Sequence, residues 1–383
     1  MKKIAFRILL LSLLAVMLAS SVVSAAEGFL ESPNIKIIVD GKLTTYSEVP
    51  IIVKDRTLLP LRSILADLGV QNDDEHIQWN GEEESVTVVK DDTRIYLKVN
   101  SGTAFVNDEP AALDAPPVNY KGRIYIPARF ISQSLNKKVV WDGATSTVYI
   151  RDEKDFDSIK DILEKTQKAM DTVNKARFRL SMNSELRNGN IKVGIGANGT
   201  GIQDRQKKNT YLWMELDMQD KKPVVEYIFT DEDQFVRKQP SGPWERVRLQ
   251  NTGTGGYFAD NDFINIISTE DTACAGLTVE YPAMGGEVLL KGNVYLEKLF
   301  TRAMSGQSSV KSFKAGSYYL ELLLDSDTNL VKNVKMKVGG VVEMEGIKPQ
   351  MDTSIEINYD EYGGSYEVPV PEEAAAGTED AGV

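Results

Sequence analysis

The sequence predicts an α+β protein: a small duplicated β-hairpin/helix module, then a curved antiparallel sheet, a half-barrel, packed on helices. Three observations predict it. One pattern of strand, turn, proline and helix is written twice between residues 33 and 151. A single amphipathic helix follows a charge-rich switch point near 152–156. After that helix the chain reads as a succession of alternating strands to about residue 362.

The duplication is extended. "IIVDGKLTTYSEVPIIVKDRTLLPLR" aligns with "AFVNDEPAALDAPPVNYKGRIYIPAR" at a constant offset of 67 residues. Arg56, Pro60 and Arg62 thereby match Arg123, Pro127 and Arg129. After the helix the register changes by five residues. "IQWNGEEESVTVVK" then matches "VVWDGATSTVYIRD", pairing Trp79 with Trp141 and Gly81 with Gly143. A match of this extent points to an internal repeat, with copies at about 35–90 and 102–151 in a domain spanning 33–152.

Each copy has a physical reading. "IIVDGK" is a strand ending in an Asp-Gly turn, and further hairpin turns are expected at Asn80-Gly81 and Asp142-Gly143. "TLLPLR" and "IYIPAR" are strand endings whose prolines are expected to keep them out of a central ladder position. "LRSILADLG" carries an apolar helical stripe closed by Gly69, and "ARFISQSLN" repeats it with Asn136 as the cap. Arg62 and Arg129 sit at equivalent strand–helix joints. Each is expected to pair with a carboxylate or a backbone carbonyl inside its own copy, and each tryptophan to pack on its own copy.

Residues 1–25 precede this module. Lys2, Lys3 and Arg7 form a basic start, "ILLLSLLAVML" an apolar run, and Val23 to Ala25 a small-x-small end. That is the pattern of a secretory signal peptide. The run is short for a spanning helix and no basic flank follows it, so no transmembrane anchor is expected after cleavage. The mature chain is expected to be secreted, extracellular or cell-wall associated. Removing Lys2, Lys3 and Arg7 takes the net charge from -12 to -15 and leaves 358 residues, enough for two or three domains. An acidic chain of this kind excludes nucleic acid as a partner, because phosphate binding rests on basic clusters. The single cysteine, Cys274, cannot form an internal disulfide, so packed cores must supply the stability.

The pattern "RTLLPLR…LG…W…V.V" resembles the copper amine oxidase N-terminal-like domain, also called the stalk domain, over about residues 35–151. The resemblance implies a small α+β module appended to other domains, common in secreted proteins of Gram-positive-type envelopes. It does not imply amine oxidation. That chemistry needs copper held by three histidines, and this chain has one, His76. The stretch "NYD" at 358–360 imitates the setting of the quinone-forming tyrosine, but "SIEINYDEY" reads as a strand with alternating faces.

The third segment spans 156–370. "FDSIKDILEKTQKAMDTVNKARF" is an amphipathic helix with Ile159, Ile162, Leu163, Thr166, Met170 and Val173 on one face, started by Asp157 or Ser158. Strands follow, with "DNDFINIIS" and "GGEVLLKGNVYLEKLFTRAMSG" expected to be partly helical. The order of elements, with "YIFTDEDQFVRK…SGPWERV" and the hairpin "LELLLDSDTNLVKNVKMKV", resembles the LolA/LppX-like lipoprotein-carrier superfamily. This implies a half-open barrel shielding an apolar groove for acyl chains. Met170, Met182, Met214, Met218 and Met336 are candidates to line such a groove, though methionines at such spacing also serve as plain core. Residues 371–383, acidic and poor in anything to bury, read as a disordered tail.

Sites of other kinds are set aside. "DSDTN" at 325–329 lacks the glycine and glutamate of a calcium loop and reads as a hairpin turn. Cys274 has no neighbouring histidine in the chain, and no serine elbow, phosphate loop or metal-histidine pair occurs. No catalytic residue, cofactor or metal is assigned. Three readings stay open: a non-catalytic envelope protein whose stalk module displays a carrier-like domain for a lipid or other apolar ligand; a structural or adhesive protein with a filled core, partnered by a cell-wall polymer or another envelope protein; and, more distantly, a glycan hydrolase using two carboxylates.

Overall fold

The computed structural model describes residues 29–371, except 144, 219–220, 231–232, 240–241, 249–266, 268–269, 284, 295–309 and 345. The expected signal peptide, the expected tail beyond Pro371 and nearly all of "DNDFINIIS" lie outside the described residues. By its contacts the chain divides into two units. Among the described residues, Phe29–Pro33 with Ser47–Ile131 form one; Asn34–Tyr46 with the chain from Ser132 to Pro371 form the other. Strand dominates both: twenty-five strands and four helices lie among the described residues.

The first unit holds two five-stranded sheets. One runs β1 (Leu30–Glu31), β4 (Ile51–Val53), β5 (Arg56–Pro60), β12 (Arg123–Pro127), β11 (Val118–Tyr120). Its centre is the antiparallel pair β5–β12, in which Leu58 faces Pro127, Leu59 faces Ile126 and Pro60 faces Tyr125. The two prolines therefore sit in central strands, contrary to the sequence expectation. The reason is their place in the ladder. Facing residues in an antiparallel pair alternate between exchanging two hydrogen bonds and exchanging none. With a proline on either side, the two-bond exchange falls to Leu59 and Ile126, and neither missing N–H is needed. Helix α1 (Leu61–Asp67) leaves β5 directly and buries Leu61, Ile64 and Leu65. It ends as expected: Gly69 takes φ +77, its N–H reaching Ala66 and that of Val70 reaching Leu65, the two bonds of a Schellman cap. Asn136, at φ +57, closes α2 (Ala128–Ser134) with one bond of that kind, its N–H on Gln133.

The other sheet of this unit runs β10 (Glu109–Ala112), β9 (Thr103–Val106), β8 (Thr93–Lys98), β7 (Ser85–Lys90), β6 (Ile77–Asn80). The β6–β7 turn does begin at Asn80, whose side chain accepts the N–H groups of Glu82 and Glu83. The left-handed residue is Glu84 rather than Gly81. The equivalent turn between β13 and β14 likewise puts Ser146, not Gly143, at positive φ.

The second unit opens on a four-stranded sheet, β13 (Lys137–Asp142), β14 (Thr147–Asp152), β2 (Lys36–Val39), β3 (Lys42–Thr44), with β14 and β2 parallel. Helix α3 (Glu153–Asp171) starts straight from β14. Asp152 is its cap, accepting the N–H of Lys154 at 3.1 Å, so the helix begins earlier than Asp157 or Ser158 would place it. Eleven antiparallel strands follow in one sheet. β15 (Lys175–Asn188), β16 (Ile191–Asp204), β17 (Asn209–Asp217), β18 (Val224–Phe229), β19 (Asp233–Arg237) and β20 (Glu245–Arg248) run outward on one side. β25 (Gln350–Tyr362), β24 (Val331–Met344), β23 (Val310–Asp325), β22 (Glu287–Gly292) and β21 (Leu277–Glu280) run outward on the other, and β15 pairs with β25 at the centre. β22 replaces part of an expected helix, since "EVLLKG" finds a pairing partner in Leu320–Asp325 of β23. Register irregularities in β15 and β23 accompany the curl of this sheet into a half-barrel.

The principal core of this unit lies under α3. Phe156, Ile159, Leu163 and Met170 of α3 meet Ile38 and Tyr149 of the small sheet, Ala273 and Cys274 of the short helix α4 (Asp271–Gly276), and Leu320, Leu322 and Val334 of the large one.

Candidate functional site

Side chains alternate faces along a strand, so the register of the eleven strands defines two rows-by-strands surfaces. On the inner face one row runs Leu216, Ala197, Met182, Ile355, Met336, Leu320 across β17, β16, β15, β25, β24 and β23. The next runs Met214, Gly199, Leu180, Ile357, Val334, Leu322. The β23 end of both rows is sealed in the core beneath α3. Elsewhere the face is closed only in places. Phe178, Leu180, Leu212 and Phe229 form a second buried cluster, with Met214, Tyr227 and Tyr359 packed on it. Phe178 lies over Gly201, where an added Cβ would sit 2.1 Å from the ring. Leu216, Met182, Ile355 and Met336 remain half-buried, and the apolar face continues through Ile195, Leu186 and Met351.

The five candidate methionines separate. Met182 and Met336 flank Ile355 from either side. Met214 borders the second cluster. Met170 is fully buried on α3, and Met218 is exposed beyond the end of β17, its N–H on Lys221. Sequence reasoning did not count Ile355, Leu216, Leu186 or Met351 among the groove candidates. The alternation in "SIEINYDEY" was the available signal, but only the cross-strand register shows that these residues extend the methionine row.

The remaining candidates resolve into structural roles. Tyr359 of "NYD" packs on Phe178 with ring centres 6.1 Å apart, and burial pushes its hydroxyl above the usual tyrosine range. Its neighbour Asp360 is held by Arg179 at 2.7 Å. Asp325 of "DSDTN" spends its carboxylate on the turn, accepting from the N–H of Asp327 and from both N–H and hydroxyl of Thr328. Burial pushes the Cys274 thiol up to about 11, so it stays protonated at neutral pH. His76 lies 2.7 Å from Asp73 in its own loop. Among the described residues no three of His, Cys, Asp and Glu are grouped to hold a metal.

The outer face holds two carboxylates on facing positions, Glu185 and Asp352. Arg187 bonds Glu185 and lies 3.8 Å from Asp352; Lys192 lies 2.5 Å from Glu185. The hydrogen bonds from Lys192 and then Arg187 hold the Glu185 carboxyl below the usual range. A two-carboxylate glycan hydrolase needs one acid kept protonated near neutral pH. Glu185 is poised the opposite way.

In the first unit the arginines that find carboxylates are not the expected ones. Arg56 bonds Asp114 at 3.0 Å and Arg123 lies 3.6 Å from Glu48, so each links residues 35–90 to residues 102–151. Arg62 donates instead to the side-chain amide of Asn72, and Arg129 is exposed with no partner among the described residues. The signature tryptophans are equally open, Trp79 and Trp141 each 45% exposed, rather than packed away. Gly81 and Gly143 lie beside the two indole nitrogens, which would stand 3.5 and 3.4 Å from an added Cβ.

Residues 38–150 match the family described as the copper amine oxidase N-terminal domain. No curated protein matches the chain. Among solved structures the chain is similar to the lipoprotein LppX of Mycobacterium tuberculosis, at 8% identity over 55% of this chain and 98% of that one, with a TM-score of 0.32. It is similar to LprF of Mycobacterium bovis at 14% identity over 56% and 97%, with a TM-score of 0.32. A putative outer membrane lipoprotein-sorting protein domain from Vibrio parahaemolyticus is similar at 9% identity over 55% and 95%, with a TM-score of 0.23. Among the described residues no helix is long and apolar enough to cross a membrane.

Proposed function

We propose that the chain is an exported, non-catalytic envelope protein in which a duplicated module carries a half-barrel that takes an apolar ligand on its inner face. The observation that supports this is the half-buried row Leu216, Met182, Ile355 and Met336, continuous with a sealed core at one end. Apolar surface left in water costs about 25 cal/mol per Å². A flexible apolar molecule laid along the row removes that cost, and unbranched methionine side chains adapt to a ligand without a fixed shape. The basic, apolar and small-residue regions of 1–25 support export.

The strand pairing supports reading 33–152 as two interlocked copies. β2–β3 and β9–β10 are hairpins at the same 67-residue offset. Each shares a sheet with the other copy's final hairpin: β2 lies directly beside β14, and β9 is joined to β7 through β8. Without β8 the two sheets have one order. Ile38 and Tyr149 of the module also sit in the half-barrel's core, so the whole chain is the object to test.

Native mass spectrometry of the gently purified chain is expected to show a mass excess from an apolar molecule. A fluorescent C16 fatty acid is expected to compete for the site, and Met182→Glu with Ile355→Glu to abolish its uptake. A clean apo mass together with no uptake of the fatty acid by the unsubstituted chain overturns the reading in favour of a filled, purely structural sheet.

A further inference from the structure

The outer face of the half-barrel carries an open polar trough of ≈ 800 Å³, framed by β17, β16, β15, β25 and β24. Two cross-strand rows build it. The first is Gly339, Asp352, Glu185, Gly194. The second is Lys337, Ser354, Asn183, Gly196, Asp217. Glycines hollow the floor. A Cβ added at Gly194 would meet nothing within 4 Å, and one at Gly196 would stand 3.2 Å from the Asp217 Cβ and 3.4 Å from the Asn183 Oδ1.

The charges of this trough are unevenly satisfied. Glu185 is neutralised by Arg187 and Lys192, and Asp352 lies within reach of Arg187. Asp217 at one end and Lys337 at the other have no ion-pair or hydrogen-bond partner among the described residues, and both are exposed. Asn183 and Ser354, each able to donate and accept, lie between them. Four strand steps of about 4.8 Å put the Cα atoms of the two end residues about 19 Å apart along the sheet. Only with both side chains laid along the sheet toward each other do the charges come within about 10–12 Å, the span of about three residues of extended chain.

We propose that this trough binds a short amphoteric peptide, extended across the strands, with its ammonium at Asp217, its carboxylate at Lys337 and its amides on Asn183 and Ser354. A neutral sugar would leave both end charges unanswered. A polyanion would meet Glu185, Asp217 and Asp352. A ligand with opposite charges at its two ends answers Asp217 and Lys337 and fits the polar middle.

Calorimetric titration of the full chain with trialanine, N-acetyl-trialanine, trialanine amide and chitotriose tests this. Trialanine with both termini free is expected to bind saturably. Blocking either terminus is expected to weaken binding about two- to fivefold, as befits solvent-exposed ion pairs. Asp217→Asn is expected to weaken trialanine by the same factor while leaving the acetylated peptide unchanged, and Lys337→Met to weaken trialanine likewise while leaving the peptide amide unchanged. No binding, indifference to both substitutions, or a preference for chitotriose overturns the proposal. Uptake of the C16 fatty acid on the inner face is expected to be unchanged in both variants, so this test and that of the apolar ligand fail independently.

Discussion

The β5–β12 pair and the β15–β25 pair invite comparison. Each is the antiparallel centre of its sheet and joins an early strand to a late one. At the first, Leu58, Leu59 and Ile126 are all 0% exposed. At the second, Met182 and Ile355 face each other on one side of the sheet and stay half-buried. The first centre is saturated with its own side chains, as a scaffold requires. The second stops short of saturation on its inner face, which is the condition for taking up something else.

The sharpest way to break this comparison is to cut into both centres. Leu59→Ala removes a fully buried side chain from a packed site, and is expected to destabilise the first unit by about 2–5 kcal/mol in denaturant unfolding. A loss below about 1 kcal/mol would mean that this centre is loosely packed too, and the contrast would disappear.

A smaller effect is expected at Glu226, on the outer face of the half-barrel. It is 4% exposed, held by Arg237 at 2.6 and 3.1 Å and by the Tyr211 hydroxyl at 2.7 Å, while Trp244 stacks on Arg237 at 4.5 Å. Burial alone would raise its carboxyl, but the bonds from Arg237 and Tyr211 outweigh burial and leave it below the usual range. A lowered folded value means the stabilisation is present above the unfolded value of about 4.3 and is lost as pH falls through the folded one. Glu226→Gln is expected to cost about 2–3 kcal/mol at pH 7. It is also expected to flatten the loss of half-barrel stability as pH falls below about 4.3. An unchanged acid limb would show that the ionic order of this face contributes little.

What the sequence made legible follows local chemistry. Gly69 and Asn136 announced their helix caps because a left-handed residue after an apolar stripe has few other uses. Asp40-Gly41 announced its turn for the same reason. Proline misled, because whether its missing N–H matters depends on the alternation of an antiparallel ladder, which only the facing strand sets. The pairing of Arg56 with Asp114 and of Arg123 with Glu48 joins 35–90 to 102–151, and no spacing within either stretch contains it. The inner row was half legible. The methionines of β15, β17 and β24 stood out, but Met170 and Met218 stood out equally, and only register separates Met182 and Met336 from them.

The smallest stability effect is expected at Met182 itself. Met182→Ala removes a side chain that is already partly in water, so it is expected to lose about 1 kcal/mol or less, a fraction of the full burial value. Its effect on ligand uptake is expected to be larger than its effect on folding, because the same side chain would pass from half-buried to buried only when an apolar molecule covers it. Comparing the two readouts on one variant separates a filled core from an open face. In a filled core, the loss of affinity and the loss of stability have no reason to differ. In an open one, the C16 fatty acid binds less tightly while the unfolding midpoint barely moves, and Leu59→Ala gives the opposite pattern: lower stability with uptake intact wherever the chain stays folded.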